Sequence, residues 1–182
     1  MINEQDFEYV RSTVRQVPNF PHEGILFLDI TTATKDAKSM QLMVDFLYEK
    51  FKDEKIDYIA GVESRGFIFG AALAYKLNVG FIPIRKPNKL PAETIKESYS
   101  LEYGTDTIEM HADAIKNGDR VVIIDDLLAT GGTAVAACNL VKKAGGKAVA
   151  AAFIIELDPL KGREKIEQTA VPVVSMLNYD LD

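Results

Sequence analysis

Apolar residues occur along the chain with two alternating spacings. Short β-branched and aliphatic runs predict strands at 25–30, 56–62, 79–84, 121–124, 149–155 and 171–176. Apolar residues three and four positions apart predict amphipathic helices at 4–17, 39–52 and 66–77, and from residue 134 onward. Strands that alternate with helices predict an α/β fold, in which a central, mostly parallel sheet is flanked by helices.

The segment 86–111 interrupts this alternation. It begins with a polar, proline-bearing loop at 86–91 and continues into a predicted hairpin that turns near Gly104. A long excursion after a strand often forms an active-site lid, so we interpret residues of about 86–111 as a flexible lid. The chain of 182 residues suits one domain, 1–182.

Composition and charge narrow the classes of function. The net charge of −6 and the pI near 5.0 argue against a surface for nucleic acid or an anionic membrane. Cys138 is the single cysteine and lies on an apolar helix stripe, which predicts a buried structural thiol and no intrachain disulfide. No apolar run is long enough to span a bilayer, and the acidic N-terminus does not resemble a signal peptide, so we expect a cytoplasmic protein.

Polar and charged residues follow three of the predicted strands. They lie at 63–66, 85–86 and 125–126. In open parallel sheets, ligands bind beyond the carboxyl ends of the strands. The three segments are therefore candidates for one binding site.

The segment 121–134 carries the most specific chemistry. A buried strand leads into Asp125 and Asp126, and then into a glycine and threonine loop that opens a helix. Glycines let backbone N–H groups approach an anion, and a helix start adds roughly half a positive charge. Carboxylates repel phosphate, so the acidic pair must contact another part of the ligand. Sugar hydroxyls are suitable donors, which points to a ribose 5-phosphate.

Other phosphate loops fit this segment poorly. A Walker A loop needs a lysine, which the loop lacks, and the dinucleotide fingerprint G-x-G-x-x-G is absent. An ordinary strand–turn–helix is the remaining alternative. Such a turn does not require two carboxylates and two threonines around Gly131 and Gly132.

The acidic pair and its loop resemble the PRPP (phosphoribosyl diphosphate) signature of the type I phosphoribosyltransferase family. Together with the segments 24–30, 99–104 and 160–165, they resemble the adenine-using branch of that family, over nearly the whole chain. The resemblance implies that family's fold, with a small N-terminal hood at about 18–32. It also implies transfer of the 5-phosphoribosyl group from PRPP to N9 of adenine, giving AMP and diphosphate in purine salvage. A cytoplasmic homodimer that uses Mg²⁺ is expected.

The resemblance further implies a role for each matched residue. The 5-phosphate would be bound by Ala129, Thr130, Gly131, Gly132 and Thr133. The ribose would be bound by Asp125 and Asp126, with water-mediated Mg²⁺ contact at Asp125. The diphosphate would be bound by Glu63, Ser64, Arg65, Arg85, Lys86, Lys89 and Tyr103, with a cis peptide expected at Glu63–Ser64.

The base site and the proton chemistry are assigned in the same way. The base would be bound by Leu26, Phe27 and Leu127. Enzymes of the family that act on 6-oxopurines place an aspartate where this chain has Ala129. The proton handler must therefore lie elsewhere, and Glu102 on the lid is the candidate for the catalytic residue.

Two alternatives remain open from the sequence. One is a related enzyme for a 6-oxopurine such as hypoxanthine, guanine or xanthine, and the other is a non-catalytic regulator that senses PRPP. The regulator is disfavoured because the chain has no basic patch for DNA. Leu28 departs from the family, in which many members carry Arg or Lys at this position, and this departure bears on base selectivity.

Overall fold

The computed structural model describes residues 2–100 and 104–180. In chain order its helices and strands are α1 (Glu4–Thr13), β1 (Arg15–Pro18), β2 (Leu26–Asp29), α2 (Thr31–Lys35), α3 (Ala37–Phe51), β3 (Tyr58–Val62), α4 (Gly66–Leu77), β4 (Gly80–Ile84), β5 (Thr94–Ser100), β6 (Thr105–His111), β7 (Arg120–Leu128), α5 (Gly132–Lys143), β8 (Lys147–Leu157), α6 (Gly162–Glu167) and β9 (Val173–Tyr179). A short 3₁₀ turn at Asp158–Leu160 precedes α6.

The central sheet has five parallel strands in the order β4-β3-β7-β8-β9. Its middle strand, β7, contains four consecutive fully buried residues, 121–124, because helices cover both faces of the sheet. One apolar cluster packs against α1, α3 and α4, and the other packs against α5 and α6. The predicted α/β architecture is therefore confirmed, and Cys138 is buried in the second cluster as expected.

The N-terminal segment differs from the prediction. The helix predicted at 4–17 ends at Thr13, and 15–18 forms β1, which pairs with β2 in an antiparallel two-stranded sheet. Val14 adopts an extended conformation that turns its side chain into the core, and the Arg15 N–H donates to the Thr32 hydroxyl at 3.1 Å. Tertiary contacts therefore override the helical spacing of the apolar residues. Of this small sheet, β2 lies within 18–32, the segment interpreted as the hood, and β1 lies directly before it.

The lid segment contains the expected hairpin, formed by β5 and β6 and called the lid hairpin below. Its base is attached to the sheet by paired backbone hydrogen bonds between Arg85 and Glu109, at 2.9 and 2.7 Å. Its first strand packs on α5, where Asn139 donates to Glu97 at 3.2 Å and Lys143 to the Lys96 carbonyl at 2.8 Å. The hairpin therefore lies over the helix that follows the glycine and threonine loop.

Two short helices, α2 and α6, were not predicted, because five and six residues are too few to show a helical period. The strand predicted at 121–124 extends to Leu128, since its pairing with β8 continues as far as Leu128 opposite Glu156. In the described ranges, no helix is both long and apolar enough to cross a membrane.

Candidate active site

The loop after β7 forms a small polar cavity at the carboxyl edge of the sheet. Gly131 adopts a left-handed conformation with φ of +77°, and α5 begins at the next residue. The cavity, of about 90 Å³, is lined by Asp125, residues 127–134 and Phe153. Because the first backbone N–H groups of a helix have no partners within that helix, this loop is suited to bind an anion.

The two carboxylates at the end of β7 have different surroundings. Asp126 is only 5% exposed and accepts a hydrogen bond from Arg65 Nε at 2.5 Å. Asp125 lines the cavity and accepts the Asp126 N–H at 2.9 Å. Burial and the neighbouring charge of Asp126 raise the pKa of Asp125 well above its ordinary value. A hydroxyl donor or a cation in the cavity would therefore stabilise the ionised form of Asp125.

Gly66 brings a second loop next to the acidic pair. A Cβ atom at this position would lie 2.5 Å from the Ile124 carbonyl oxygen and 3.1 Å from Asp125 Oδ1. Only glycine therefore allows α4 to start against the end of β7. The preceding loop contains the cis peptide that the family resemblance implies, between Glu63 and Ser64.

The basic residues after β4 are arranged around Glu63. Arg85 forms two hydrogen bonds with this carboxylate, at 3.0 and 3.1 Å, and the Lys86 N–H donates a third at 3.1 Å. The hydrogen bond from Arg85 lowers the pKa of Glu63. Arg85 also donates to the Lys89 carbonyl at 3.1 Å, while the Lys89 side chain is exposed. Glu63 therefore joins the 63–66 loop to the basic segment.

Lys86 connects this segment to the lid hairpin. Its ammonium group contacts Asp106 and lies 3.4 Å from the Tyr99 hydroxyl. The hydrogen bond from Lys86 lowers the pKa of Asp106. A second cavity, of about 120 Å³, is lined by Glu63, Lys86, Tyr99, Asp125 and Thr133 together with Val62, Ile84 and Ile108. It shares Asp125 and Thr133 with the cavity formed by the loop after β7, so the two cavities adjoin at these two residues.

The residues predicted to bind a base lie at the hood and at the end of β7. Phe27 packs edge-to-face with Phe20, with ring centroids 5.1 Å apart. Leu26 and Leu127 are partly buried against the apolar cluster that packs on α1, α3 and α4. Leu28 is 4% exposed and belongs to the core. Because neighbouring side chains on a strand point to opposite faces, Phe27 points away from the core that Leu28 enters.

Glu102 and Tyr103 lie outside the described residues, so their assignments stay predictions. The chain on either side of them is placed by β5 and β6. A Cβ atom at Gly132 would lie 3.2 Å from the Tyr99 ring and 3.6 Å from the Ser100 carbonyl oxygen. The described strand that leads to Glu102 therefore ends beside the start of α5.

Sequence reasoning missed Gly162, which packs directly against the loop after β7. A Cβ atom here would lie 2.2 Å from the Ala129 carbonyl oxygen and 3.0 Å from the Gly131 nitrogen. Its segment, 160–165, was noted only for its family resemblance. A glycine that opens a short helix is a weak signal, because the close approach joins Gly162 to a loop that lies far from it along the chain, at 129–131.

Among the described residues of the site, the carboxylates are the candidate protein ligands for a metal. Across 2–100 and 104–180, no group of three or more His, Cys, Asp or Glu side chains is arranged to bind a metal ion. The oxygen donors of Asp125 and Asp126 suit Mg²⁺, which usually binds through one or two carboxylates together with substrate phosphates. A metal brought by a phosphorylated ligand therefore fits this site.

Comparisons with known proteins agree with this geometry. The phosphoribosyl transferase domain family matches residues 32–180. An adenine phosphoribosyltransferase of Koribacter versatilis is 54% identical over 94% of this chain and 93% of its own. The structure of the Rhodothermus marinus enzyme of that name matches with a TM-score of 0.92 and 49% identity, covering 97% of this chain and 100% of its own.

A third relative carries bound ligands. The Trypanosoma brucei adenine phosphoribosyltransferase, in complex with AMP, pyrophosphate and ribose-5-phosphate, matches with a TM-score of 0.88 and 31% identity, covering 98% of this chain and 81% of its own. These similarities confirm the family resemblance seen in the sequence. The chain belongs to the adenine phosphoribosyltransferase family.

Proposed function

We propose that this protein transfers the 5-phosphoribosyl group of PRPP to N9 of adenine, which yields AMP and diphosphate. The observation that carries the proposal is the acidic pair of β7, placed directly before a helix-opening loop that can bind phosphate. The ligands bound to the Trypanosoma brucei relative are the nucleotide product, the diphosphate product and a sugar phosphate, as this reaction requires.

The sugar phosphate would bind along the end of β7. The 5-phosphate would receive hydrogen bonds from the backbone N–H groups of 129–133 and from the Thr130 and Thr133 hydroxyls. Asp125 and Asp126 would accept hydrogen bonds from the ribose hydroxyls. Arg65 Nε donates a hydrogen bond to Asp126 at 2.5 Å, which places a cation beside this carboxylate, near the proposed position of the sugar.

The diphosphate would bind where the basic side chains converge. Ser64, Arg65, Lys86 and Lys89 are near the carboxyl ends of β3 and β4, and Arg85 is held there by Glu63. When bound, Mg²⁺ would neutralise charge on the diphosphate, with Asp125 holding it through water. Cationic donors favour departure of the diphosphate because they stabilise the charge that develops on its oxygens.

Adenine would bind between Phe27 and Leu127, and the backbone near Leu26 would read the edge of the base. Glu102 would accept the proton that the base must lose from N9, and Tyr103 would help to close the site. Closure of the lid hairpin over the start of α5 would exclude water while the sugar carbon carries positive charge. Selection of a 6-amino group through backbone donors and acceptors needs no ionised side chain at Ala129.

We also propose that the enzyme acts as a homodimer in the cytoplasm. On α4, which begins directly after the 63–65 loop, Ile68 and Tyr75 are exposed, and Tyr75 is 87% exposed. An exposed apolar stripe of this kind suits contact with a second copy. Light scattering of the protein and of Tyr75→Glu would test this surface, and a monomeric wild-type protein would contradict it.

The central test is nucleotide formation from PRPP with each purine in turn, with and without Mg²⁺. We expect AMP from adenine only in the presence of Mg²⁺, and little turnover of hypoxanthine, guanine or xanthine. Preference for a 6-oxopurine would overturn the assignment of the base. Binding of PRPP without turnover of any purine would support a regulator instead.

A further inference from the structure

Two loops meet backbone to backbone behind the proposed 5-phosphate site. A Cβ atom at Gly131 would lie 2.7 Å from the Gly162 carbonyl oxygen and 3.1 Å from its Cα atom. A Cβ atom at Gly162 would lie 2.2 Å from the Ala129 carbonyl oxygen. Neither position can carry a side chain without displacing the other loop, so the first residue of α6 forms a wall against 129–131.

Arg163 holds this wall in place. Its guanidinium group donates to Glu156 at 2.9 and 2.5 Å, to the Val173 carbonyl oxygen at 2.8 Å and to the Ser175 hydroxyl at 2.9 Å. Glu156 lies on β8, and Val173 and Ser175 lie on β9. Arg163 therefore connects the start of α6 to two strands of the central sheet.

The ion pair is sheltered at its acidic end. Glu156 is 4% exposed, and its Oε2 atom also accepts the Ser175 hydroxyl at 2.5 Å. The hydrogen bond that Arg163 donates to Glu156 raises the pKa of Arg163. A bidentate ion pair of this kind fixes the orientation as well as the position of the Arg163 side chain. Ile166, fully buried on the same helix, provides a second attachment.

We propose that Arg163 and Glu156 are positioning residues for PRPP binding. They hold Gly162 against the loop, and Gly162 fixes the direction of the N–H groups that converge on the 5-phosphate. This inference rests on the proposed function, since it takes 129–133 as the phosphate loop. Hydrogen bonding to an oxyanion depends steeply on distance and angle, so a small displacement of the wall weakens binding of the phosphate.

The test compares two ligands that use different parts of the site. Isothermal titration calorimetry with ribose 5-phosphate reports on the loop, and titration with diphosphate reports on the basic segment. Gly162→Ala should weaken ribose 5-phosphate on the order of 100-fold. Arg163→Met should weaken it about 10-fold, and Arg163→Lys should recover part of that loss, by analogy with residues that support binding groups from behind. Diphosphate affinity should be unchanged in all three.

Lys165→Ala is the matched control, because this side chain lies on the same helix and is exposed. It should bind both ligands as the wild type does. Thermal melts accompany every variant, and Glu156→Gln gives an independent reading of the same pair if Gly162→Ala does not fold. Equal losses for both ligands, or full ribose 5-phosphate affinity in Arg163→Met, would overturn the proposal. Failure of the wild type to bind ribose 5-phosphate would instead reject the proposed function.

Discussion

The two ends of the proposed substrate meet different kinds of protein surface. At the 5-phosphate end, the loop 129–133 is fixed by backbone packing against Gly162, with no room for a side chain at Gly131 or Gly162. At the diphosphate end, the site consists of ion pairs, Arg85 with Glu63 and Lys86 with Asp106. The first surface is complete before a ligand arrives. The second would have to exchange protein partners for ligand oxygens, so we expect binding there to require rearrangement of the basic segment and the lid hairpin.

The largest expected effect is on catalysis, from a change at Glu102 in the predicted lid segment. Glu102→Gln should lower kcat by roughly 10²–10⁴-fold, since a positioned general base contributes about that much. KM for PRPP should change little, because neither phosphate group needs this carboxylate. Steady-state kinetics would measure both constants. Glu93→Gln is the control, as Glu93 is exposed at the base of the hairpin. Full turnover by Glu102→Gln would reject the assignment.

At the 5-phosphate end, one added methyl group should disrupt the conformation of the loop 129–133. Gly131→Ala adds a Cβ 2.7 Å from the Gly162 carbonyl oxygen, at a residue with φ of +77°. We expect KM for PRPP to rise on the order of 100-fold, because the loop must move. Gly118→Ala is the matched control, with φ of +88° and no atom within 4 Å of its Cβ position.

Gly118→Ala should lose roughly 1–2 kcal/mol of folding free energy, the usual cost of a left-handed conformation for alanine, and Gly131→Ala should lose more because its Cβ meets the Gly162 backbone. Chemical denaturation would measure this loss. If Gly118→Ala raised KM for PRPP as much as Gly131→Ala, general destabilisation would explain the effect, and the wall behind the loop would have no specific role.

Asp125 lines both cavities and so lies between the proposed 5-phosphate and diphosphate sites. Burial and the charge of Asp126 raise its pKa. A carboxyl group with a raised folded pKa stabilises the fold below its unfolded pKa, and this stability is lost as pH rises through the folded pKa. Asp125→Asn should therefore melt at a higher temperature than the wild type at neutral pH, with a weaker dependence on pH. Its ribose 5-phosphate affinity should fall about 10-fold, since hydrogen bonds to charged groups contribute roughly 1.5–3 kcal/mol.

Asp113→Asn removes an equal charge from an exposed position and should leave both properties unchanged. Melting curves from acid to neutral pH, run without ligand, are the measurement. A wild-type protein that became more stable as pH rose through this range, and an Asp125→Asn variant that did not, would reverse the assigned direction of the shift.

The smallest expected effect is at the diphosphate end of the site. Asp106→Asn frees Lys86 from its partner, so diphosphate should inhibit more strongly, by no more than about fivefold, because partly exposed ion pairs contribute roughly 0.2–1 kcal/mol. Product-inhibition kinetics would show it, with Asp113→Asn again as the control. Weaker inhibition would mean that Asp106 holds Lys86 in its binding position, and the contrast between the two ends would be smaller.

The same contrast explains what the sequence could predict. The carboxyl end of β7 and its loop follow a local pattern of apolar run, acids and glycines, so Asp125, Asp126 and 129–133 were identified in one continuous segment. The Glu63–Arg85 pair and the contact of Gly162 with the loop join segments distant along the chain. The spacing of apolar and polar residues within any one segment therefore cannot predict them. The helix predicted at 4–17 was too long for a related reason, since pairing of β1 with β2 decides its end.

The acidic pair is carried by β7, which has a neighbouring strand on each side. Amides of such a strand usually exchange with deuterated solvent only when the whole protein opens, whereas those of a two-stranded hairpin exchange through local opening. The carboxylates that we propose to bind the sugar are thus embedded in the slowest-opening part of the fold. Changes at the surface could alter which base is chosen while leaving recognition of the sugar intact for as long as the protein is folded.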